Sequence, residues 1–323
     1  MKALTWIEPA GLADAVDLGS APGALFKAGG VDVLDLLKEH VAEPSALVNL
    51  GRVRELDFLR EEKGALVLGP LVTLARAAAD ERVLRGARAL AEAAGAAATP
   101  QIRNLATLGG NLAQRPRCSY FRSELFHCRR KGGTECFAIP GDNAEHAIFD
   151  NDLCAIVHPS AVAVALLALG ATLKLQGPSG HRAMPLEQFF VLPGKDVLRE
   201  NVLKPGELIV EIRVPTGRRS SYARVMHKQS FDWPMAEAAV AVELHGDRVR
   251  EARVAIGAVA PVPRRASAVE KALAGRTLAA GLMQEAAKLA TQGATPLDRN
   301  RHKLPALQAA VERSLRAAAG IPS

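Results

Sequence analysis

Residues 99–112 read TPQIRNLATLGGNL, a segment in which two adjacent glycines follow small polar side chains. Glycine lets the backbone lie close to a ligand, and the side chains of Thr107 and Asn111 can donate hydrogen bonds beside it. A polar surface loop can have the same composition. We interpret this segment, named glycine loop 2, as a loop that lies against a ligand.

A second pair of glycines lies near the N-terminus, in the sequence FKAGGVDV at residues 26–33, named glycine loop 1. Apolar stretches at residues 24–28 and 46–50 flank a helical pattern, which predicts a small β-α-β unit. The backbone NH groups at the start of that helix could cradle a phosphate, although paired glycines before a helix are more often an ordinary turn. The chain has neither a GxGxxG fingerprint nor a P-loop, which argues against a Rossmann dinucleotide site.

Together with two further motifs, the glycine loops resemble the flavoprotein (medium) subunits of the xanthine dehydrogenase and aldehyde oxidase family, which are molybdenum hydroxylases. The further motifs are GELI at residues 206–209 and ARVAIGAVAP at residues 252–261. The resemblance covers essentially the whole chain. It implies an α+β fold with an FAD-binding domain of the PCMH or VAO type, made of two subdomains, at residues 1–217. A small α+β domain of the CO dehydrogenase flavoprotein type would follow at residues 218–323, after a linker-like TGRRSS at 216–221.

The resemblance also implies which residues bind FAD. Glycine loop 1 would hold the pyrophosphate through Phe26, Lys27, Ala28, Gly29, Gly30, Val31, Asp32 and Val33. Glycine loop 2 would hold the phosphate and flavin side through Thr107, Leu108, Gly109, Gly110 and Asn111. Ile209 would contact the isoalloxazine, and Arg224 and Lys228 would lie near the flavin.

Two positions depart from the family pattern. Relatives commonly have threonine where this chain has Val31, and aspartate where it has Ala161. Each difference would remove a hydrogen bond to FAD, with a net contribution of about 1 kcal/mol. We expect the backbone cradle to persist, because it depends on NH groups and not on these side chains.

All four cysteines lie in one window of the chain, at Cys118, Cys128, Cys136 and Cys154. They lie in residues 101–159, which show no helical or strand periodicity and are too long for an ordinary connection; the insertion itself is placed at about 113–158. Zinc sites usually contain cysteine pairs two to four residues apart, which are absent here, and disulfides need oxidising conditions. Four thiolates can hold an Fe4S4 cluster, and the cluster would order the loop. We therefore expect Fe4S4, with zinc second and disulfides third.

The insertion resembles that of bacterial periplasmic-type aldehyde oxidoreductases, through RCSYFR at residues 117–122 and DLCAIVHPS at 152–160. The 4-hydroxybenzoyl-CoA reductases resemble it less in spacing. Basic side chains near the cysteines could offset the charge of a cluster or pair with a partner subunit; they are Arg115, Arg117, Arg122, Arg129, Arg130 and Lys131. We expect His127 to be a surface residue, since four cysteines suffice as ligands.

The resemblance implies an electron-transfer subunit of a hetero-oligomer. A large subunit would carry the molybdenum-pterin cofactor, a small subunit would carry Fe2S2 clusters, and the FAD of this chain would pass electrons to an external acceptor. Because the flavin performs the chemistry, we expect no catalytic side chain. The favoured function is the FAD subunit of a heterotrimeric aldehyde oxidoreductase. The alternatives are a subunit of a 4-hydroxybenzoyl-CoA reductase-like or xanthine dehydrogenase-like complex and, from another class, a zinc-stabilised binding module.

Charge and composition argue against nucleic-acid and membrane functions. The 41 basic and 34 acidic residues give a net charge of +7, but the basic residues are scattered and aromatic residues make up only 4%. No charge-free stretch of 18 apolar residues and no export signal occur. We therefore expect a cytoplasmic protein, or a periplasmic one if a signal-bearing partner subunit exports it.

Overall fold

The computed structural model describes residues 3–321, beginning with a small parallel β-α-β subdomain. Its elements are β1 Thr5–Ile7, α1 Leu12–Gly19, β2 Ala24–Lys27, α2 Val31–Lys38 and β3 Ala46–Asn49. The three strands are parallel and stand in the order β1-β3-β2. The predicted β-α-β unit is confirmed, and glycine loop 1 joins β2 to α2 at the carboxyl end of the sheet.

The second subdomain contains a five-stranded antiparallel sheet. Its strands are β4 Leu59–Glu62, β5 Ala65–Leu68, β6 Thr172–Gly177, β7 Gly180–Pro185 and β8 Leu208–Pro215. They stand in the order β4-β5-β8-β6-β7, so β8 pairs with two strands that come much earlier in the chain. The helices between β5 and β6 are α3 Leu74–Ala79, α4 Glu81–Gly86, α5 Arg88–Ala96, α6 Pro100–Leu105, α7 Leu108–Ala113 and α8 Ala161–Leu169.

Glycine loop 2 is helical, so its interpretation as a loop was wrong. It consists of α6 and α7, whose first turns are capped by threonine side chains. The Oγ1 atom of Thr99 accepts a hydrogen bond from the Ile102 NH at 3.4 Å, and that of Thr107 accepts one from the Gly110 NH at 3.2 Å. Threonine at the N-cap and proline at the first helical position favour helix starts, and here they outweigh the low helix propensity of paired glycines.

Helix α8 forms the centre of the core. All nine of its residues are buried, because α5, β8 and two strands of the last third of the chain, Pro234–His245 and Arg248–Gly257, pack against it. Ser160 caps its start, where the hydroxyl accepts a hydrogen bond from the Ala163 NH at 2.9 Å, and Gly170 ends it at a φ of 75°. Among residues 3–321, no helix combines the length and apolar character needed to cross a membrane.

The last third of the chain is a four-stranded antiparallel sheet with helices on one side. Its elements are β9 Arg219–Met226, β10 Pro234–His245, β11 Arg248–Gly257, β12 Arg264–Arg265, α9 Ser267–Leu273, α10 Ala280–Lys288 and α11 Lys303–Ala319. The strands stand in the order β12-β11-β10-β9 and α11 lies across β9 and β10. Helices and sheets occur in every part of the chain, in agreement with the predicted α+β class.

The insertion between α7 and α8 is irregular, as predicted, but the irregular segment begins only after α7 and not at residue 101, because α6 and α7 are helical. Its only helical piece within the described chain is a 3-10 turn at Arg129–Lys131. Its backbone is held to the C-terminal part of the molecule: Ile148 donates its NH to the carbonyl of Val259 at 2.9 Å. The buried ammonium of Lys303 donates to the carbonyls of Glu145 and His146 at 3.0 and 3.1 Å. Burial lowers the pKa of Lys303 to about 8.

Strand β10 carries a buried carboxyl group, Glu237, which is 1% exposed. The hydroxyl of Tyr222, on the neighbouring β9, donates a hydrogen bond to it. Burial raises the pKa of Glu237 to about 7, although this hydrogen bond and the charges of Arg224 and Lys303 act in the opposite direction. The group therefore changes charge near neutral pH.

We predict that Glu237→Gln makes the protein less sensitive to pH. The pKa of Glu237 is higher in the folded state than its ordinary value of 4.5, so its stabilising contribution is present at low pH and is lost as the pH rises through 7. Relative to the variant, the wild-type protein should lose about 3 kcal/mol of unfolding free energy between pH 4.5 and 7.5. Urea unfolding of both proteins at several pH values measures this difference. Glu285→Gln, on the exposed face of α10, is the matched control, and a wild-type-minus-variant difference that stays constant with pH would contradict the prediction.

Candidate functional site

A cleft of about 230 Å³ opens where the two N-terminal subdomains meet. Both glycine loops line it, and so does the start of β8. The lining residues that the sequence predicted are Phe26, Ala28, Gly29, Gly30, Val31, Asp32, Val33, Thr107, Gly109, Gly110, Asn111 and Ile209. Two loops separated by the 65 residues from 34 to 98 are thus brought to one place, as a shared ligand requires.

Four other predicted residues lie outside this cleft. The ammonium of Lys27 donates a hydrogen bond to Asn49 at 3.2 Å and lies over the ring of Trp6. Leu108 is fully buried in the core. Arg224 faces Glu237 in the β9–β10 pairing, and Lys228 lines a different cavity, described below.

Close approach of neighbouring segments makes glycine necessary at two positions in the walls of the cleft. A Cβ atom added to Gly29 would lie 1.9 Å from the carbonyl oxygen of Leu105, and one added to Gly109 would lie 2.6 Å from the Cβ of Pro70. Neither contact is sterically allowed. The walls of the cleft therefore depend on bare backbone at these points.

The start of α2 is free to bind an anion. Gly30, its N-cap residue, has a φ of 84° and offers no side chain to the NH groups of the first turn. These NH groups and the favourable end of the helix dipole face the cleft beside Val31. A phosphate group fits such a backbone cradle, and Val31 supplies its NH despite lacking a hydroxyl. Ala161, the other departure from the family pattern, is buried in the core at the start of α8.

Arg117 brings positive charge to the cleft, a role that sequence reasoning missed. Its guanidinium lies 2.9 Å from the carboxylate of Asp32, in glycine loop 1. Sequence proximity to Cys118 assigned it to the cysteine window only, whereas the structure places its side chain on the cleft and not on the cysteine pocket. The other lining residues that were missed are mostly apolar and carry no sequence signal; they are Leu50, Leu56, Pro70, Leu71, Ala106, Ala113, Gln114 and Leu203.

The four cysteines line one small, apolar pocket inside the insertion. All four are free thiols, so they form no disulfide with one another. Among residues 3–321, the only three His, Cys, Asp or Glu side chains whose ligand atoms all lie within 4.8 Å of one another are Glu145, His227 and His302. No three of the cysteine sulfurs therefore lie this close together. A tetrahedral zinc ion with Zn–S bonds of about 2.3 Å would hold its sulfurs about 3.8 Å apart. The four sulfurs therefore do not all converge at the spacing of a single zinc ion, although the Cys136 and Cys154 thiols are hydrogen-bonded to each other.

Positive and polar groups surround the thiols. Arg130 is buried beside Cys154 and pairs with Glu200 at 2.7 Å. A hydrogen bond from the Cys154 thiol lowers the pKa of Cys136 to about 5, and the same bond together with burial raises the pKa of Cys154. Burial raises the pKa of the Cys118 thiol to about 11.

His146 contacts one of the four cysteines, Cys118, and no sequence pattern pointed to it. Its Nε2 atom lies 3.2 Å from the sulfur of Cys118, and burial lowers its pKa to about 4. A neutral imidazole can donate a hydrogen bond to a thiolate through this nitrogen. His127, in contrast, is exposed, as expected.

A second cavity, of about 470 Å³, adjoins both sites. Arg117 lines this cavity and the cleft, and Cys118 lines this cavity and the cysteine pocket. Lys228 and Trp233 also line it, and the centre of the indole ring is 5.6 Å from the guanidinium of Arg117. The cleft and the cysteine pocket are thus joined through two consecutive residues.

Comparison with known proteins agrees with this geometry. The model of the FAD binding domain in molybdopterin dehydrogenase matches residues 2–217, and that of the CO dehydrogenase flavoprotein C-terminal domain matches residues 221–314. The FAD-binding subunit PaoB of aldehyde oxidoreductase from Escherichia coli K12 is 36% identical, over 78% of this chain and 80% of its own. The carbon monoxide dehydrogenase medium chain of Hydrogenophaga pseudoflava is 29% identical, over 87% and 84%.

Solved structures give the same result. Carbon monoxide dehydrogenase from Hydrogenophaga pseudoflava superposes with a TM-score of 0.77 at 27% identity, covering 99% of this chain and 98% of that one. Quinoline 2-oxidoreductase from Pseudomonas putida 86 gives 0.76 at 25% identity, with 99% of each chain covered. The predicted fold type is confirmed. The chain belongs to the FAD-binding medium subunits of the xanthine dehydrogenase and aldehyde oxidase family, oxidoreductases of the molybdenum hydroxylase type.

Proposed function

We propose that this chain is the FAD- and Fe4S4-carrying electron-transfer subunit of a heterotrimeric molybdenum-dependent aldehyde oxidoreductase. The observation that carries the proposal is the convergence of four free cysteines on one pocket, joined to the flavin cleft through Arg117 and Cys118. Family membership accounts for FAD alone. The cysteine pocket would provide a second redox site in the same chain.

FAD would bind in the cleft between the glycine loops. The NH groups at the start of α2 and the backbone of glycine loop 1 would hold the pyrophosphate, and Arg117 would supply a positive charge nearby. Glycine loop 2 would hold the phosphate and flavin side through Thr107, Gly109, Gly110 and Asn111. Ile209 would contact the isoalloxazine, and Lys228 would approach it from the second cavity. Arg224 is the least supported of the predicted FAD residues, because it faces Glu237.

The cysteine pocket would hold the Fe4S4 cluster through Cys118, Cys128, Cys136 and Cys154. In such a cluster each cysteine binds a different iron atom, so the sulfurs stand further apart than around one metal ion. The apolar lining would exclude water, while Arg130 would offset negative charge; both features tune the reduction potential of a cluster. The absence of cysteine pairs two to four residues apart argues against the zinc-stabilised binding module.

Bound FAD supplies one- and two-electron chemistry, and the residues of this chain position it and exclude competing reactions. Electron transfer needs two redox sites that are close and rigidly held. The ion pairs of Arg117 fix one wall of the cleft, and the adjacent Cys118 fixes one corner of the cysteine pocket. The arrangement needs no nucleophile or general base.

Relatives suggest the partners and the substrate. Several are named as medium chains or FAD subunits of dehydrogenases, which supports a complex with a large molybdopterin-binding subunit and a small Fe2S2 subunit. The relative that is 36% identical belongs to an aldehyde oxidoreductase, which favours an aldehyde over the substrates of 4-hydroxybenzoyl-CoA reductase-like or xanthine dehydrogenase-like complexes. The subunits that copurify with the chain would distinguish these alternatives.

We also propose a division into an FAD-binding domain at 1–217 and a C-terminal domain at 218–323, supported by the family matches to residues 2–217 and 221–314. The protein would act in the cytoplasm, or in the periplasm if a partner subunit carries the export signal. Fractionation of cells that express the whole complex would decide between the two compartments.

We predict that Gly29→Ala strongly weakens FAD binding. The added methyl group would push glycine loop 1 away from the carbonyl of Leu105 and open the cradle. The dissociation constant of FAD should rise by more than about tenfold, which corresponds to about 1.4 kcal/mol. Flavin content after gel filtration and fluorescence titration with FAD measure the change.

Gly281→Ala, on the surface of α10, is the control, because a Cβ atom there meets nothing within 4 Å. It should keep wild-type flavin content. Iron content, which should be unchanged in both variants, shows that the rest of the chain is folded. Wild-type FAD affinity in Gly29→Ala would contradict the placement of the pyrophosphate.

We further predict that Cys136→Ser removes the iron-sulfur cluster while FAD stays bound. The insertion between Arg117 and Cys154 should then become sensitive to limited proteolysis, because a cluster would tie four distant points of it together. Iron and sulfide analysis, together with the broad visible absorbance of the cluster, measures the loss. His127→Gln is the matched control, since this exposed residue lies next to Cys128 and should leave the iron content intact. Unchanged iron in Cys136→Ser would exclude Cys136 as an essential ligand.

A further inference from the structure

We propose that Glu145, His227 and His302 form a separate binding site for a divalent transition metal ion of the Zn²⁺ type. The three side chains offer one ligand atom each, and these atoms all lie within 4.8 Å of one another. The Oε1 atom of Glu145 is 2.8 Å from Nε2 of His227, and the two imidazole rings are 6.1 Å apart between centroids. None of the three lines the cysteine pocket or the flavin cleft.

The donor set determines the class of metal. Two imidazoles and one carboxylate bind Zn²⁺ in sites that keep a fourth position open, and imidazole also suits Cu²⁺ and Ni²⁺. Mg²⁺ and Ca²⁺ prefer oxygen ligands only. A zinc ion about 2.0–2.2 Å from each ligand atom would hold those atoms about 3–3.5 Å apart. The observed distances, 2.8 Å between Glu145 and His227 and up to 4.8 Å within the group, bracket this spacing.

Hydrogen bonds between two segments hold Glu145 and His302 near each other without any metal. Glu145 lies in the insertion, whereas His302 directly precedes α11. Lys303, the next residue, donates hydrogen bonds from its buried ammonium to the carbonyls of Glu145 and His146 at 3.0 and 3.1 Å. The Arg299 NH donates to the Asn143 side chain at 3.0 Å, which ties the same two segments a second time. Such preorganisation reduces the entropy lost when a metal binds.

His227 comes from a third segment, immediately after β9. An ordinary surface pair of Glu145 and His227 would contribute little stability and would not require another imidazole beside it. The presence of His302 distinguishes a three-ligand site from an ion pair. All three side chains are exposed, so a metal ion can enter from solvent. The bound ion would join the insertion, the end of β9 and the start of α11.

The test uses the full chain without an affinity tag, loaded with its cofactors and freed of loosely bound metal by mild chelation. Calorimetric titration with Zn²⁺ should show one site per chain in the wild type and in His245→Gln, whose exposed histidine lies in the distant β10–β11 hairpin. His302→Gln should bind Zn²⁺ more than about tenfold more weakly at this site. Equal affinity in all three proteins, or no zinc site in the wild type, would overturn the proposal.

A second measurement identifies the ligands directly. With less than one equivalent of Cu²⁺, the electron paramagnetic resonance spectrum of the wild type should show coupling to two imidazole nitrogens, and those of His302→Gln and His227→Gln should show coupling to one. A spectrum that neither substitution changes would refute the site. Thiols that lack iron would bind added metal equally in every variant. The difference between variants therefore tests this site even if the proposed Fe4S4 cluster is absent.

Discussion

The carboxylate of Asp32 accepts hydrogen bonds from the Arg122 guanidinium at 2.7 Å and the Arg115 backbone NH at 2.9 Å, and it pairs with Arg117 at 2.9 Å. Asp32 belongs to the first turn of α2, whereas the three basic residues belong to the start of the insertion. Arg122 is mostly buried, so its pairing is screened from solvent less than a surface ion pair would be. This contact sets the distance between glycine loop 1 and the cysteine window. Because of it, the consecutive residues Arg117 and Cys118 join the cleft to the cysteine pocket.

The insertion has a second attachment, on the C-terminal side. Asn300 donates hydrogen bonds to the carbonyls of His146 and Ala147 at 3.2 and 3.1 Å, and Ile148 and Phe149 lie in the core of the last sheet. Buried polar groups are stabilising only when their hydrogen bonds are satisfied, and Lys303 meets this condition with three backbone carbonyls. An irregular segment is thereby fixed without strands or α-helices. It spans the space between the FAD-binding part and the C-terminal sheet.

Local patterns in the sequence predicted the elements that depend on local physics. The β-α-β unit followed from apolar periodicity, and the irregular insertion followed from its absence. Glycine loop 2 was interpreted wrongly because two threonine caps and the packing of Gly109 against Pro70 stabilise helices that propensity alone disfavours. Leu108 shows a related difficulty: a residue inside a recognised motif can face the core instead of the ligand.

Contacts between distant segments could not be predicted from the sequence in the same way. Arg117 reaches the cleft because Asp32 holds it there, and His146 reaches Cys118 because the carbonyl of His146 is bound by Asn300 and Lys303. Neither residue stands out by its neighbours in sequence. The cysteines were recognisable because four residues of one rare type in a short window stand out in the composition. The residues that surround these thiols are chemically varied and come from several segments, so only the folded chain identifies them.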